Sequence, residues 1–437
     1  MNINYIQADC GAGKTYFTLK DIAANPGHYV FAVNKIDLIA ERIQEFQAFP
    51  GSSAFRIYQC HTQNPLTSYG TIGAQIQTFP SRCSDAPGPV LLFVTHESLQ
   101  ITDWLEFTGW RLVIDEVPNV WTYIEGNFTQ SHDYVQQFFN TEECEGVPGY
   151  LRLSLSSAGR NLRSNWKGDQ IAAVLKPFLD STAKKSLVMV NRDSWTKPDS
   201  RKLRGFALFK PEHLSVFQSV TILGNRFTDS LLHRCWSKQG VQFTSVVLPE
   251  SRLPVLPMSD RLEIIYFSNL NASMNYFNSD ERPLEQIAVW CRRHLGSRDG
   301  FYTTNEKYLP QFTISGWQRT GVMAHGYNNL KDKDVCVFMA ALKGKPHEYP
   351  TIEEAFGVTR EEFDLSRERE ALVQFFMRSN LRVYDSTRPV QVYVFSKEQA
   401  EFLHEITGAP IRHEDIGLTS SPNKGGRPRK DAQRKAA

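Results

Sequence analysis

The sequence predicts an α/β protein made of two parallel-sheet domains in tandem, with an irregular insertion in the first and a disordered basic tail. Three observations predict it. Short β-type runs alternate with helical stretches in both halves; a proline-bearing segment, Arg252–Pro257, separates the two series; and hydrophobic periodicity stops beyond Ile416.

The bulk numbers agree with that organisation. A chain of 437 residues is too long for one ordinary core and suits two domains. With 41% hydrophobic and 22% charged residues it has the composition of a folded globular protein, not a disordered one. Its 49 basic and 47 acidic residues leave a net charge of +2, so any nucleic-acid surface must be a local patch. Seven cysteines (Cys10, Cys60, Cys83, Cys144, Cys235, Cys291 and Cys336) are scattered and form no Cys-x-x-Cys pair, which suits a reducing cytoplasm. No apolar run approaches the ~20 residues needed to cross a bilayer, so no membrane partner is expected.

The first domain is expected over 1–251. Its strands are Ile3–Ala8, Tyr29–Val33, Leu91–Val94, Arg111–Ile114 and Ser219–Leu223, with helices from Lys14 and through Ile36–Phe46. From about 144 to 207 the chain turns polar and irregular, and this stretch is expected to be an insertion. The second domain is expected over 258–416, with strands Leu262–Phe267, Gly300–Thr303, Val335–Ala340 and Val390–Phe395 and helices Pro283–Leu295 and Ser366–Leu381. Residues 417–437 read as a flexible tail.

The segment Ala8-Asp-Cys10-Gly11-Ala12-Gly13-Lys14-Thr15 follows a strand and opens a helix, the context that a phosphate-binding Walker A loop requires. Small residues let backbone N–H groups close around phosphate oxygens. Lys14 is expected to reach the β and γ phosphates, and Thr15 to bind Mg²⁺. In Arg111-Leu-Val-Ile-Asp115-Glu116 an apolar strand ends in two carboxylates. Asp115 is expected to hold Mg²⁺, and Glu116 to orient or deprotonate the attacking water.

Gln374, Arg378 and Arg382 recur every four residues and share one face if the helix continues to Arg382. Alone, they read first as a solvated stripe paired with Glu368 or Glu370. A triphosphate at the edge of one domain needs positive charge at its γ-phosphate, commonly supplied by a neighbouring domain, and Arg378 and Arg382 are the candidates.

Taken together, Ala-x-x-Gly-x-Gly-Lys-Thr, Asp115-Glu-Val-Pro118 and Gln-x3-Arg-x3-Arg resemble motifs one, two and six of the superfamily two DEAD-like helicases. The resemblance extends to Phe31–Glu41, Val94–Glu97, Leu223–Asn225, Gly300–Asn305 and His325–Asn329. It departs at Met377, where the family has glycine, and at Leu223-Gly-Asn, where the family has Ser-Ala-Thr. Only seven residues precede Ala8, too few for the adenine-reading segment of the DEAD-box branch. The resemblance implies two RecA-like domains with ATP and Mg²⁺ between them, Gln374 among the nucleotide contacts, and a helicase or translocase of phage or plasmid type. It implies single-stranded nucleic acid met by Asn34, Lys35, Thr95 and His96 on one domain and by Thr303, Thr304 and Asn305 on the other. DNA in replication or recombination is the expected substrate, with RNA a further candidate, other replication proteins as partners, and the cytoplasm of a bacterial or phage-infected cell as the location.

The tail carries Lys424, Arg427, Arg429, Lys430, Arg434 and Lys435 against Asp431 alone. Its Gly-Arg-Pro core around Arg427 and Arg429 resembles an AT-hook, and reads equally as a generic basic arm. Two rival functions fit the same motifs: a DNA-packaging motor, and a nucleic-acid-binding regulator that uses ATP as a switch.

Overall fold

The structure is a computed structural model. It describes residues 1–83, 88–128, 131–144, 147–164, 170–183, 186–197, 202–248, 250, 252–323 and 329–418. Residues 325–328 of the motif-five resemblance lie outside that set, as do Arg427 and Arg429. Among the described residues no helix is long and apolar enough to cross a membrane.

The chain divides into two compact units. The first comprises Met1–Leu253 with Gly344–Glu370, and the second Pro254–Lys343 with Ala371–Ala437. The expected second domain is therefore interrupted, because residues 344–370 pack with the first unit. The reason lies in their apolar face. Tyr349, Ile352, Phe356, Val358 and Phe363 share one core with Trp121, Phe206 and Trp236. Arg367 pairs with the buried Glu348 at 3.2 Å, and Arg234 pairs with Glu362.

In the first unit the strands are β1 (Asn2–Gln7), β2 (His28–Val33), β3 (Arg56–Gln59), β4 (Val90–Thr95), β5 (Arg111–Asp115), β6 (Trp121–Gly126), β7 (Phe139–Glu143), β8 (Tyr150–Leu155), β9 (Ser186–Asn191), β10 (Leu203–Phe209), β11 (Ser219–Gly224) and β12 (Gln242–Ser245). A parallel sheet runs in the order β12-β1-β11-β5-β2-β4-β3. Helices α1 (Lys14–Ala24), α2 (Ile36–Gln47) and α3 (His96–Ile101) connect its strands. Continuous apolar runs such as Tyr29–Val33 and Val90–Val94 are buried throughout, as a parallel sheet covered on both faces demands.

The stretch expected to be irregular over 144–207 is instead most of an antiparallel sheet, ordered β6-β10-β9-β8-β7. Its side chains alternate between two cores. Val188, Val190, Leu203 and Ala207 face a local core with Phe178 and Trp195. Met189, Phe206 and Leu208 face the core shared with residues 344–370. Both faces of β10 are covered, whereas β7 is exposed along most of its length.

The second unit carries β13 (Leu262–Ser268), β14 (Gly300–Thr304), β15 (Gln318–Arg319), β16 (Val335–Met339), β17 (Val390–Ser396) and β18 (Ile411–His413). They form a parallel sheet ordered β15-β14-β16-β17-β13-β18. The helix Pro283–Leu295 matches the expectation in both bounds. The helix expected over Ser366–Leu381 does not run through. A π-helical turn, Leu365–Arg369, precedes an α-helix that stops at Phe376. There the Ser379 hydroxyl donates to the Phe376 carbonyl at 2.6 Å, and Ser379 caps a separate 3-10 turn, Asn380–Arg382. Gln374, Arg378 and Arg382 therefore do not share one helical face.

Candidate nucleotide site

The site is built at the carboxyl edge of the first unit's parallel sheet, the end at which open α/β sheets bind ligands. β1 ends at Gln7, and the chain turns through Gly11 (φ 92°) and Gly13 (φ 93°) into α1. Both angles lie in the left-handed region that favours glycine. At Gly13 a Cβ would also sit 2.7 Å from Phe17 Cε2. Gly13 is the N-cap of α1 and brings no side-chain acceptor to its first-turn N–H groups, the kind of helix start at which anions bind. Lys14 Nζ donates to the carbonyls of Ala8 (2.6 Å) and Asp9 (2.9 Å), which holds the ammonium over the loop. Cys10, half-buried, completes the loop beside Ala12.

Asp115 stands at the end of β5, two strands from β1, with only 6% of its surface exposed. Thr15 Oγ1 donates to its Oδ1 at 2.7 Å, which closes Walker A onto the acidic strand end across a hundred residues. Burial pushes the Asp115 carboxyl above its ordinary range, with Glu116 adding to the rise and Arg42, Thr15 and Lys14 opposing it. The oxygens of Thr15 and Asp115 are hard donors of the kind Mg²⁺ takes. With no group of three acidic, His or Cys ligands among the described residues, phosphate and water would supply the remaining ligands. The donor set fits Mg²⁺ and not a metal that needs an all-protein cage.

Glu116 has φ 69°, a left-handed angle that costs a non-glycine residue about 1–2 kcal/mol. Its Oε2 accepts from Asn34 Nδ2 at 3.4 Å. His96 Nε2 donates to the Asp115 carbonyl at 2.9 Å. Thr95 caps the start of α3, its hydroxyl 3.2 Å from Ser98 Oγ, and Lys35 is the N-cap of α2. The structure thus gathers Lys14, Thr15, Asp115, Glu116, Asn34 and His96 at one edge. It turns Asn34 and His96 toward the acidic pair, although they were expected to meet nucleic acid.

Two residues at this edge were not foreseen. Arg42 on α2 is nearly buried and holds Asp115 Oδ2 at 3.5 Å and Glu45 at 2.7 Å. In sequence it looks like an ordinary surface arginine in an i, i+3 pair. Asn225 follows β11, between β1 and β5, with 7% exposure and, among the described residues, no hydrogen-bond partner for its amide nitrogen. The Leu223–Asn225 resemblance pointed to this place without assigning it a contact.

In the second unit, Thr303 and Thr304 have 0% and 1% exposure. Their hydroxyls donate to the carbonyls of Thr320 (3.0 Å) and Met339 (2.9 Å). They were expected to touch nucleic acid; the strand positions them inward, and their side chains are closed to it. Asn305, half-buried, exchanges hydrogen bonds with Ala341 at 3.1 and 3.0 Å. Arg378 is 7% exposed and donates to Gln374 Oε1 at 3.3 Å, while Arg382 is half-buried.

No protein-family model matches the sequence, and no curated protein matches it. Among solved structures the chain is similar to one described as an XPD helicase, at 10% identity and TM-score 0.55, over 94% of this chain and 96% of that one. It is also similar to Xpd4 of S. tokodaii, at 11% identity and TM-score 0.49, over 94% and 96%. Identity this low speaks for fold alone, and the fold is α/β with two RecA-like units.

Proposed function

We propose that this chain is an ATP-dependent, Mg²⁺-requiring nucleic-acid helicase or translocase. One observation carries the reading: the Thr15 hydroxyl lies 2.7 Å from the Asp115 carboxylate, with Glu116 next in the chain and Lys14 folded over the same loop. Glycine-rich turns also occur without nucleotides. A glycine turn that places a lysine and a hydroxyl against a buried aspartate is the arrangement that phosphoryl transfer needs.

In this reading the loop amides from Cys10 to Thr15 and Lys14 hold the triphosphate. Thr15 and Asp115 would hold Mg²⁺, which would supply positive charge to the triphosphate. Glu116 accepts the proton of the attacking water, with Asn34 fixing the carboxylate's rotamer. The extra positive charge at the γ-phosphate is assigned to Arg378 and Arg382, with Gln374 as the partner that orients Arg378.

DNA is the substrate we propose, in replication or recombination of a phage or plasmid type of replicon. The basic segment around Arg427 and Arg429 supports it, because an Arg-Pro-Arg run suits a narrow minor groove. Lys35, Thr95 and Asn305 are retained as phosphate contacts. The test is ATP hydrolysis without nucleic acid and with single-stranded DNA, duplex DNA or RNA, followed by strand displacement on substrates with 5′ or 3′ tails. Stimulation by DNA above RNA is expected; no stimulation by any nucleic acid would overturn the reading. Glu116→Gln distinguishes a motor from an ATP-switched regulator, since only a motor loses its activity with the base, by roughly 10²–10⁴-fold.

A further inference from the structure

The structure supplies a flat surface beside the phosphate loop. After β12 the chain runs back across the start of α1. Glu250 pairs with Lys20 at 3.0 Å, and the Arg252 N–H donates to the Ala12 carbonyl at 3.2 Å. These two anchors place the Arg252 guanidinium over the Tyr16 ring, 5.2 Å from its centroid. Arg252 is exposed, and among the described residues no carboxylate pairs with it. Tyr16 is half-buried and held by edge contacts to Phe49 (4.9 Å) and Phe17 (5.2 Å), which leave its flat face to Arg252.

We propose that Tyr16 and Arg252 form the platform for the base of the nucleoside triphosphate, an inference that rests on the phosphate-loop reading above. Tyr16 follows Thr15 by about 100° around the helix axis, so it leaves α1 on a different face from the one Thr15 presents to Asp115. A triphosphate with its γ end at Asp115 and Glu116 has its α-phosphate at the first turn of α1. Its ribose and base then extend past that turn, where the ring and guanidinium stand. The base enters between the two planes, and the exposed Arg252 side chain lifts by roughly one ring thickness, about 3.5 Å, to admit it. Stacking on both sides gives affinity without reading the base edge, and the Arg252–Ala12 bond couples the platform to the loop that grips the phosphates.

The test compares binding and hydrolysis of ATP with those of inorganic triphosphate, which has the phosphates and no base, using the full chain. Tyr16→Ala is expected to weaken ATP binding roughly tenfold while inorganic triphosphate stays within about twofold. Tyr16→Phe restores ATP binding, because the ring and not the hydroxyl does the stacking. Tyr16→Leu keeps apolar packing against Phe49 but offers no plane, and is expected to behave like Tyr16→Ala with a normal melting temperature. Arg252→Ala weakens ATP severalfold, and Arg252→Lys does not restore it, since an ammonium lacks the planar face. Equal weakening of ATP and triphosphate, or full ATP affinity in a folded Tyr16→Leu chain, overturns the platform alone. Lys14→Ala is expected to weaken both probes. If both bind it as tightly as they bind the unmodified chain, the phosphate-loop reading falls and takes the platform with it.

Discussion

Each of the two units of this chain carries its own parallel sheet, and the two differ in what stands at the carboxyl edge. In the first unit β1 turns through Gly11 and Gly13 into α1, and Lys14, Thr15, Asp115 and Glu116 converge there. In the second unit β13 runs into Asn269–Ser273 and the short helix Met274–Phe277, with neither glycine nor lysine at the turn. At the end of β14 the hydroxyls of Thr303 and Thr304 are spent on neighbouring carbonyls. A repeated layer of strands reproduces the scaffold and not the chemistry. What decides chemistry is whether strand ends leave polar groups open to a ligand or close them onto the backbone.

The largest expected effect tests that contrast directly. Lys14→Ala should lower ATP hydrolysis by at least about 10²–10³-fold, the scale of losing a fixed cation at a site of developing charge. Thr303→Val, at the corresponding edge of the second unit, should change hydrolysis less than about twofold and cost about 1 kcal/mol of stability from its lost hydrogen bond. Phosphate release and urea unfolding of both variants measure the pair. Comparable losses of activity would break the comparison, since chemistry would then reside at both edges.

The second prediction concerns which unit owns residues 344–370. Ile352 is fully buried in the core it shares with Trp121, Phe206 and Trp236. Ile352→Ala should destabilise the first unit by about 2–5 kcal/mol. Limited proteolysis checks the location: new cleavage should open within 1–253. Cleavage confined to 254–343 would return the segment to the second unit.

Much of the candidate site was legible in the sequence because its parts are local. The glycines, Lys14 and Thr15 lie on one loop, and an apolar strand ending in Asp115 and Glu116 announces its own direction. Arg42 was not legible, since its burial depends on α2 packing against β2 and β4, from which its side chain reaches Asp115, and nothing near Arg42 in the sequence says so. The antiparallel sheet was missed because Val188–Val190 and Phe206–Phe209 are short and set among polar residues, with each face completed by a different core. The helix from Glu348 to Phe356 carries an apolar face, and nothing in its own residues names the core that covers it. The break after Phe376 did carry a local signal, Ser379, whose hydroxyl competes for the helix's last carbonyls.

The third prediction sharpens the electrostatic side of the first unit's edge. Burial holds the Asp115 carboxyl above its ordinary value of 3.8 in the metal-free chain. The folded state therefore favours the protonated form, and this contribution to stability is full below pH 3.8 and lost as pH rises through the folded value. Asp115→Asn, neutral at every pH, should gain on the unmodified chain as pH rises across that window. Urea midpoints in the presence of a chelator read it out, and parallel curves for the two proteins would show that burial does not dominate at Asp115. Added Mg²⁺ should reverse the trend for the unmodified chain only, because the metal binds the carboxylate form.

The smallest expected effect is a gain. Glu116 holds a left-handed backbone at φ 69°, and its half-buried side chain accepts from Asn34 at 3.4 Å. A glycine adopts the angle without strain, so Glu116→Gly should release about 1–2 kcal/mol, partly offset by roughly 0.5–1 kcal/mol of extra chain entropy in the unfolded state. The net is a stabilisation of at most about 1.5 kcal/mol, together with loss of hydrolysis because the carboxylate is gone. Glu116→Asn should lie between, since asparagine tolerates the left-handed region better than glutamate. If Glu116→Gly is instead destabilised, the backbone turn is held by the Asn34 contact and not opposed by it, and strain has no part in how the first unit presents the Glu116 carboxylate.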